Sequence, residues 1–208
     1  MTRLITFGCS YTYGAYLPDC VKHLSDGTSC QGPIASKLAW PQVLGNRLDL
    51  EVHNMSTVGS SNLEILYHIL NFKFKSDDKV IVMWTFPNRD LIFKRWIKTI
   101  LKPFKQLKST FNDKYSKQWM IDYNEKDAVI KSWMYMQHAE LYLNSKDISY
   151  VSYCTDTAPL NKFKPKFINL NTLHSLDDII IDTGVDNMHP GIESHKKIAD
   201  QMYIVCQK

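Results

Sequence analysis

Lys79-Val80-Ile81-Val82-Met83-Trp84 is the stretch that most limits what this chain can fold into. Five apolar residues follow one lysine without a polar break. A strand of that kind has both faces covered, which is the condition of a strand inside a parallel sheet. Parallel strands need crossover connections, and the rest of the sequence supplies them. Leu4-Ile5-Thr6-Phe7, Glu51-Val52-His53-Asn54 and Ile148-Ser149-Tyr150-Val151-Ser152-Tyr153 read as further short strands. Between them lie segments of helical period. Residues 34–48 carry Leu38, Val43, Leu44 and Leu48 broadly on one face, and Pro41 sets the start at Trp40-Pro41 or a kink there. Ser60 or Ser61 caps the next helix, with Glu64 three residues after Ser61. It runs to about Phe74 with Leu63, Leu66, Ile69 and Leu70 inward. Residues 127–144 place Ile130, Trp133, Met134 and Leu141 inward, and 190–205 close the chain as a helix.

Strands alternating with helices predict a three-layer α/β/α domain with a mostly parallel sheet. The 208 residues suit one domain, 1–208, with no repeat and no linker to split it. Residues 13–33 read as an irregular loop, 155–171 as loop, and 171–180 as including a short helix. The formal charge of +4 is too small to imply a nucleic-acid partner by itself. No apolar run approaches the ~18 residues of a membrane span. The N-terminal apolar run is too short for a signal peptide, so the expected location is cytoplasmic, or a phage or virus particle. Cys9, Cys20, Cys30, Cys154 and Cys206 are odd in number and without a paired spacing. They form neither a disulfide framework nor a zinc ribbon, and Cys9 and Cys154 read as buried thiols. His195 lies six residues beyond His189 with no third ligand, so no metal is called for.

Residues 91–120 stand apart. Lysines alternate with aromatics, among them Phe93, Lys94, Trp96, Lys98, Phe104 and Lys105, and Pro103 breaks the run. Helical pieces and loops are expected, as an insertion or lid on the same domain. A solvated surface with inward aromatics is the first reading. A wall of a substrate cleft is the second, and a nucleic-acid groove ranks last.

A parallel sheet gathers the loops after its strands at one edge, where ligands bind. Those loops hold Ser10 in Gly8-Cys9-Ser10-Tyr11-Thr12, Gly59 with Asn62, and Asn88 in Thr85-Phe86-Pro87-Asn88. The loop before the last helix holds Asp186 and His189 in Asp186-Asn187-Met188-His189-Pro190. These are the group types that serine acyl transfer needs: nucleophile, base, carboxylate to orient the base, and donors for the oxyanion. Asp186 and His189 are three residues apart, within reach if the loop folds as one turn.

In these stretches the sequence resembles the SGNH hydrolases, or GDSL-type esterases and lipases. Gly8-Cys9-Ser10 is similar to the first block of that family, with Cys9 in place of Asp. The stretch from Asn54 to Asn62 is similar to the second block, Thr85-Phe86-Pro87-Asn88 loosely to the third, and Asp186-Asn187-Met188-His189-Pro190 fully to the fifth. The resemblance implies an SGNH, flavodoxin-like sheet and a catalytic triad of Ser10, His189 and Asp186. It implies an oxyanion hole from the N–H groups of Ser10 and Gly59 and the side chain of Asn88. No cofactor is implied. Arg89, next to Asn88, is an alternative binder for an acidic group. The activity implied is hydrolysis of a small acyl ester, with acetyl esters of carbohydrates as the example, through an acyl-enzyme. The partner would be a small-molecule or glycan ester. The alternative is a weak or inactive protein of this fold that binds carbohydrate or serves a phage or cell-surface structure.

Overall fold

The computed structural model describes residues 2–26, 28–93, 104–108, 114–155, 158–165, 173–176 and 179–206. Its elements in chain order begin with β1 (Arg3–Phe7), α1 (Ser10–Tyr13), β2 (Val21–His23), β3 (Ser29–Gln31) and α2 (Trp40–Leu48). Next come β4 (Glu51–Asn54), α3 (Asn62–Asn71), β5 (Lys79–Trp84), β6 (Arg89–Phe93) and β7 (Phe104–Lys108). The last are α4 (Lys114–Ile121), α5 (Glu125–Ser145), β8 (Ser149–Cys154), α6 (Ala158–Lys162), β9 (Leu173–Ser175) and α7 (Ile192–Cys206).

The main sheet has five strands in the order β4-β1-β5-β8-β9, all parallel. Counting only these strands, the order is 2-1-3-4-5, that of the flavodoxin-like doubly wound sheet. β5 is central, as its unbroken apolar run requires. Its side chains alternate between two cores because successive strand residues point to opposite faces. Val80, Val82 and Trp84 join Ile65, Ile69, Trp133 and Met136 under α3 and α5. Ile81 and Met83 join Trp40, Leu44, Ile198 and Met202 under α2 and α7. The three-layer α/β/α expectation therefore holds.

Several local readings need correction. α2 starts at Trp40 with Pro41 in its first turn, which is the start at Trp40-Pro41 that was expected and not the kink, so residues 34–39 precede the helix. The loop at 13–33 contains the antiparallel hairpin β2–β3. α5 turns its stripe by about one residue from the expected one: Val129, Trp133, Met136 and Leu143 are buried, while Met134 and Leu141 are exposed. Residues 173–175 add a strand to the sheet edge where a short helix was expected, and 158–162 form a helix inside a stretch read as loop. The 91–120 segment begins with β6, which pairs antiparallel with β7, and ends in α4. Its residues 94–103 and 109–113, with the lysines and aromatics there, lie outside the described residues. Ser61 caps α3 as expected, accepting the Glu64 N–H at 3.2 Å. Cys9 and Cys154 are buried free thiols. Among the described residues no helix is long and apolar enough to cross a membrane.

Candidate active site

β1 and β5 are neighbours, but the chain leaves them toward different faces of the sheet: the helix after β1 packs with one layer and the helix after β5 with the other. Such a switch point opens a crevice at the carboxyl ends of the strands. The loop after β1 turns at once into the four-residue α1, whose first residue is Ser10. Gly8 makes this turn possible, because a Cβ there would lie 2.0 Å from Thr12 Oγ1. Gly14, at φ 73°, ends the helix in the left-handed region that glycine favours. Ser10 is only 2% exposed.

The loop after β4 runs beside this turn. Met55 N–H donates to Thr6 O at 2.8 Å and Thr57 N–H to Gly8 O at 3.3 Å. Asn54 Nδ2 donates to Thr12 O at 2.8 Å, while its Oδ1 accepts from Ser56. These bonds lay the loop that carries Gly59, at φ 76°, beside the Ser10 turn. Among the described residues the backbone N–H groups of Ser10 and Gly59 have no protein acceptor.

Asp186 and His189 form a closed unit. His189 Nδ1 lies 2.6 Å from Asp186 Oδ2, and Asp186 Oδ1 accepts the His189 and Met188 N–H groups at 3.0 and 3.1 Å. Burial pushes the Asp186 carboxyl up, but the hydrogen bonds from His189 and Met188 outweigh it and hold the group below its ordinary value. An ionised Asp186 therefore accepts from Nδ1–H and leaves Nε2 as the basic nitrogen. The loop is fastened to the turn after α1 by Val185 N–H, which donates to Tyr16 O at 3.0 Å, and is braced internally by Gly184 N–H, which donates to His189 O at 2.8 Å. The imidazole stacks on Tyr16, with ring centres 5.3 Å apart, and meets Tyr11 edge-on at 6.0 Å. Tyr11 is the residue after Ser10, so the ring stands beside the Ser10 turn. No hydrogen bond joins Ser10 Oγ to His189 in this structure. Serine–histidine pairs are often loose without substrate.

The third loop is organised differently from the sequence expectation. Asn62 is buried, and its side chain grips the backbone of Thr85: Thr85 N–H donates to Oδ1 at 2.8 Å, and Nδ2 donates to Thr85 O at 3.0 Å. Nδ2 also donates to Ser132 Oγ at 3.0 Å, so helices α3 and α5 jointly set the end of β5. Asn88 is exposed and makes no hydrogen bond among the described residues. Arg89 turns back: its Nη1 donates to Thr85 Oγ1 at 2.8 Å and its guanidinium lies 5.2 Å from the Phe86 ring centre. The structure thus brings Asp186 and His189 into contact, sets both against the Ser10 turn, lays the Gly59 loop alongside, and leaves Asn88 facing out.

Tyr11, Tyr16 and the Asn62–Thr85 clamp were not singled out from sequence. Tyr16 is a non-glycine residue at φ 62°, and nothing in its neighbours signals that it will cradle a ring 173 positions away. Asn62 closes the stretch similar to the second block and was named with Gly59, yet its partner Thr85 is set by the sheet and not by spacing.

No protein-family model matches the sequence, and no curated protein sequence matches it. Solved structures do match in shape. A lipolytic protein of the G-D-S-L family from Desulfitobacterium hafniense DCB-2 superposes with a TM-score of 0.52 at 14% identity, covering 99% of each chain. The lipase Lip_vut3 from a goat rumen metagenome gives 0.55 at 10% identity, covering 98% of this chain and 97% of that one. The acetyl xylan esterase Est2A from Butyrivibrio proteoclasticus gives 0.56 at 11% identity; 99% of this chain spans 63% of that one. The chain has the α/β fold of the GDSL, or SGNH, hydrolases.

Proposed function

We propose that the protein is an SGNH-type serine esterase that cleaves a small acyl ester through an acyl-enzyme. The observation that carries this reading is the Asp186–His189 pair at 2.6 Å, fastened by Val185 and Tyr16 to the turn that bears Ser10. In this reading His189 Nε2 takes the Ser10 hydroxyl proton as Oγ attacks the ester carbonyl. Asp186 steadies the imidazolium that results. The N–H groups of Ser10 and Gly59 hold the oxyanion, with the Asn88 amide as a third donor if its side chain turns inward on substrate. The alcohol leaves with the proton from His189. Water, deprotonated by the same nitrogen, then frees the acid and restores Ser10.

Small esters such as acetyl groups fit because Ser10 is nearly enclosed, and the sugar esters processed by fold neighbours make a glycan ester a reasonable natural substrate. The outward Asn88 supports a second reading, a protein of this fold that binds without turnover. Hydrolysis of p-nitrophenyl acetate by the wild type and Ser10→Ala separates the two. The esterase reading expects a rate in the wild type that falls by at least ~10³-fold in the variant. A wild type no faster than Ser10→Ala, on this and on acetylated sugars, favours the binding reading.

A further inference from the structure

Arg89 is built into the site more firmly than a surface cation needs to be. Asn62 fixes the Thr85 backbone from both sides, and Thr85 Oγ1 in turn accepts from Arg89 Nη1. Phe86 supports one face of the guanidinium at 5.2 Å. Phe86 also meets Tyr11 edge-on at 6.4 Å, and Tyr11 meets His189. One aromatic strip therefore runs from the base to the guanidinium. The charge is felt along it: burial raises the Tyr11 hydroxyl, and Arg89 is the group that opposes that rise. Among the described residues no carboxylate forms an ion pair with Arg89, although Asp90, Asp122 and Asp127 line the same polar cavity of about 180 Å³ beside it. A half-buried guanidinium held by a hydroxyl and a ring, whose remaining donors have no acceptor among the described residues, is suited to a planar anion.

We propose that Arg89 determines specificity by binding a carboxylate carried on the substrate, at a position removed from the scissile bond. This rests on the esterase reading above. Two rings, Phe86 and Tyr11, separate the guanidinium from His189, so it meets a substituent and not the oxyanion at Ser10. The cavity wall sets Asp90, Asp122 and Asp127 against Arg89 and Lys131, a balance that disfavours a dianion such as a phosphate monoester more than a single negative charge.

The test uses two matched pairs of esters. Mono-p-nitrophenyl succinate against p-nitrophenyl butyrate places the charge on the acyl side. 4-Acetoxybenzoate against its methyl ester places it on the alcohol side. The expected result is a kcat/KM at least ~10-fold higher for the charged member of one pair, the scale of a charge-assisted hydrogen bond. Arg89→Gln should bring that ratio close to one, and Arg89→Lys should keep part of it. A wild-type ratio near one in both pairs overturns the proposal, and so does a ratio that Arg89→Gln leaves unmoved. Equal loss on charged and neutral esters also overturns it, because that marks a role in the chemical step. Ser10→Ala assayed on all four esters tells a failure of the esterase reading apart from a failure at Arg89. If no ester is turned over, calorimetry with benzoate and with benzamide decides. Benzoate binding to the wild type that Arg89→Gln abolishes supports the assignment, and absence of any preference for benzoate overturns it.

Discussion

His195 is one residue whose chemistry is set by burial. It sits in α7 with no exposure, and its Nδ1 accepts the Trp40 N–H at 3.1 Å, which starts α2. That bond requires a neutral ring with the proton on Nε2. Burial lowers its pKa to about 4, against smaller opposing pulls from Asp182 and Asp19. The unfolded ring titrates near ~6.5 and so binds a proton first as pH falls. Stability should be full above that value and should decline as pH drops from ~6.5 toward 4, by about 3 kcal/mol in all. The lowered carboxyls of Asp78, Asp182 and Asp186 lose their contribution only below their ordinary range, so the two windows separate. Urea unfolding at a series of pH values should show the decline in the wild type. His195→Gln, which keeps an acceptor for Trp40, should flatten it. An equal slope in both proteins would remove His195 as its source. His195 was set aside in the sequence as a non-ligand, and its real task depends on Trp40, far away in the chain, which no local pattern reveals.

At the scale of elements, α7 decides where His189 is held. Asp182 accepts the Ser194 N–H at 2.7 Å and the Glu193 N–H at 3.0 Å, and so caps the first turn of the helix. Its carbonyl accepts the Gly191 N–H at 3.0 Å, and a Cβ at Gly191 would come within 2.4 Å of Asp182 Oδ2. The loop from Asp182 to Gly191 is thus closed at its base, and the Gly184 N–H continues the closure onto His189 O. Asp182→Ala should cost about 1–2 kcal/mol in thermal unfolding, the worth of a helix cap. A loss within a few tenths of a kcal/mol would mean that Ser194, which also bonds Asp182, holds the turn alone. Elements with strong local signals were legible in the sequence. β5 was clear from its unbroken apolar run, and the Asp186–His189 turn from its residue spacing. β9 was not, because three residues become a strand only by pairing with β8. In α5 the aromatic and methionine residues lie on several faces, and packing against α3 chooses the stripe through Val129, Trp133 and Met136.

Across the whole molecule, the layout of the candidate site follows from the strand order. With β1 and β5 adjacent at the switch point, the Ser10 turn, the Gly59 loop and the Thr85–Arg89 segment meet at one crevice, though far apart in sequence. The part-buried Arg3–Asp78 pair, with Nη2 to Oδ2 at 2.6 Å, ties the start of β1 to the start of β5 at the opposite edge. The fold was legible because alternating strands and helices leave few topologies. The third loop was not, because the roles of Asn62, Thr85 and Arg89 arise only once the sheet brings α3 under the end of β5. The central claim is that this crevice makes Ser10 a nucleophile. Its most direct test is treatment with diethyl p-nitrophenyl phosphate, followed by intact-mass and peptide analysis of wild type, Ser10→Ala and His189→Ala. The account predicts one diethylphosphoryl group on Ser10 in the wild type, slowed strongly in His189→Ala and absent in Ser10→Ala. A wild type that hydrolyses esters yet stays unlabelled, or is labelled at another residue, would contradict it.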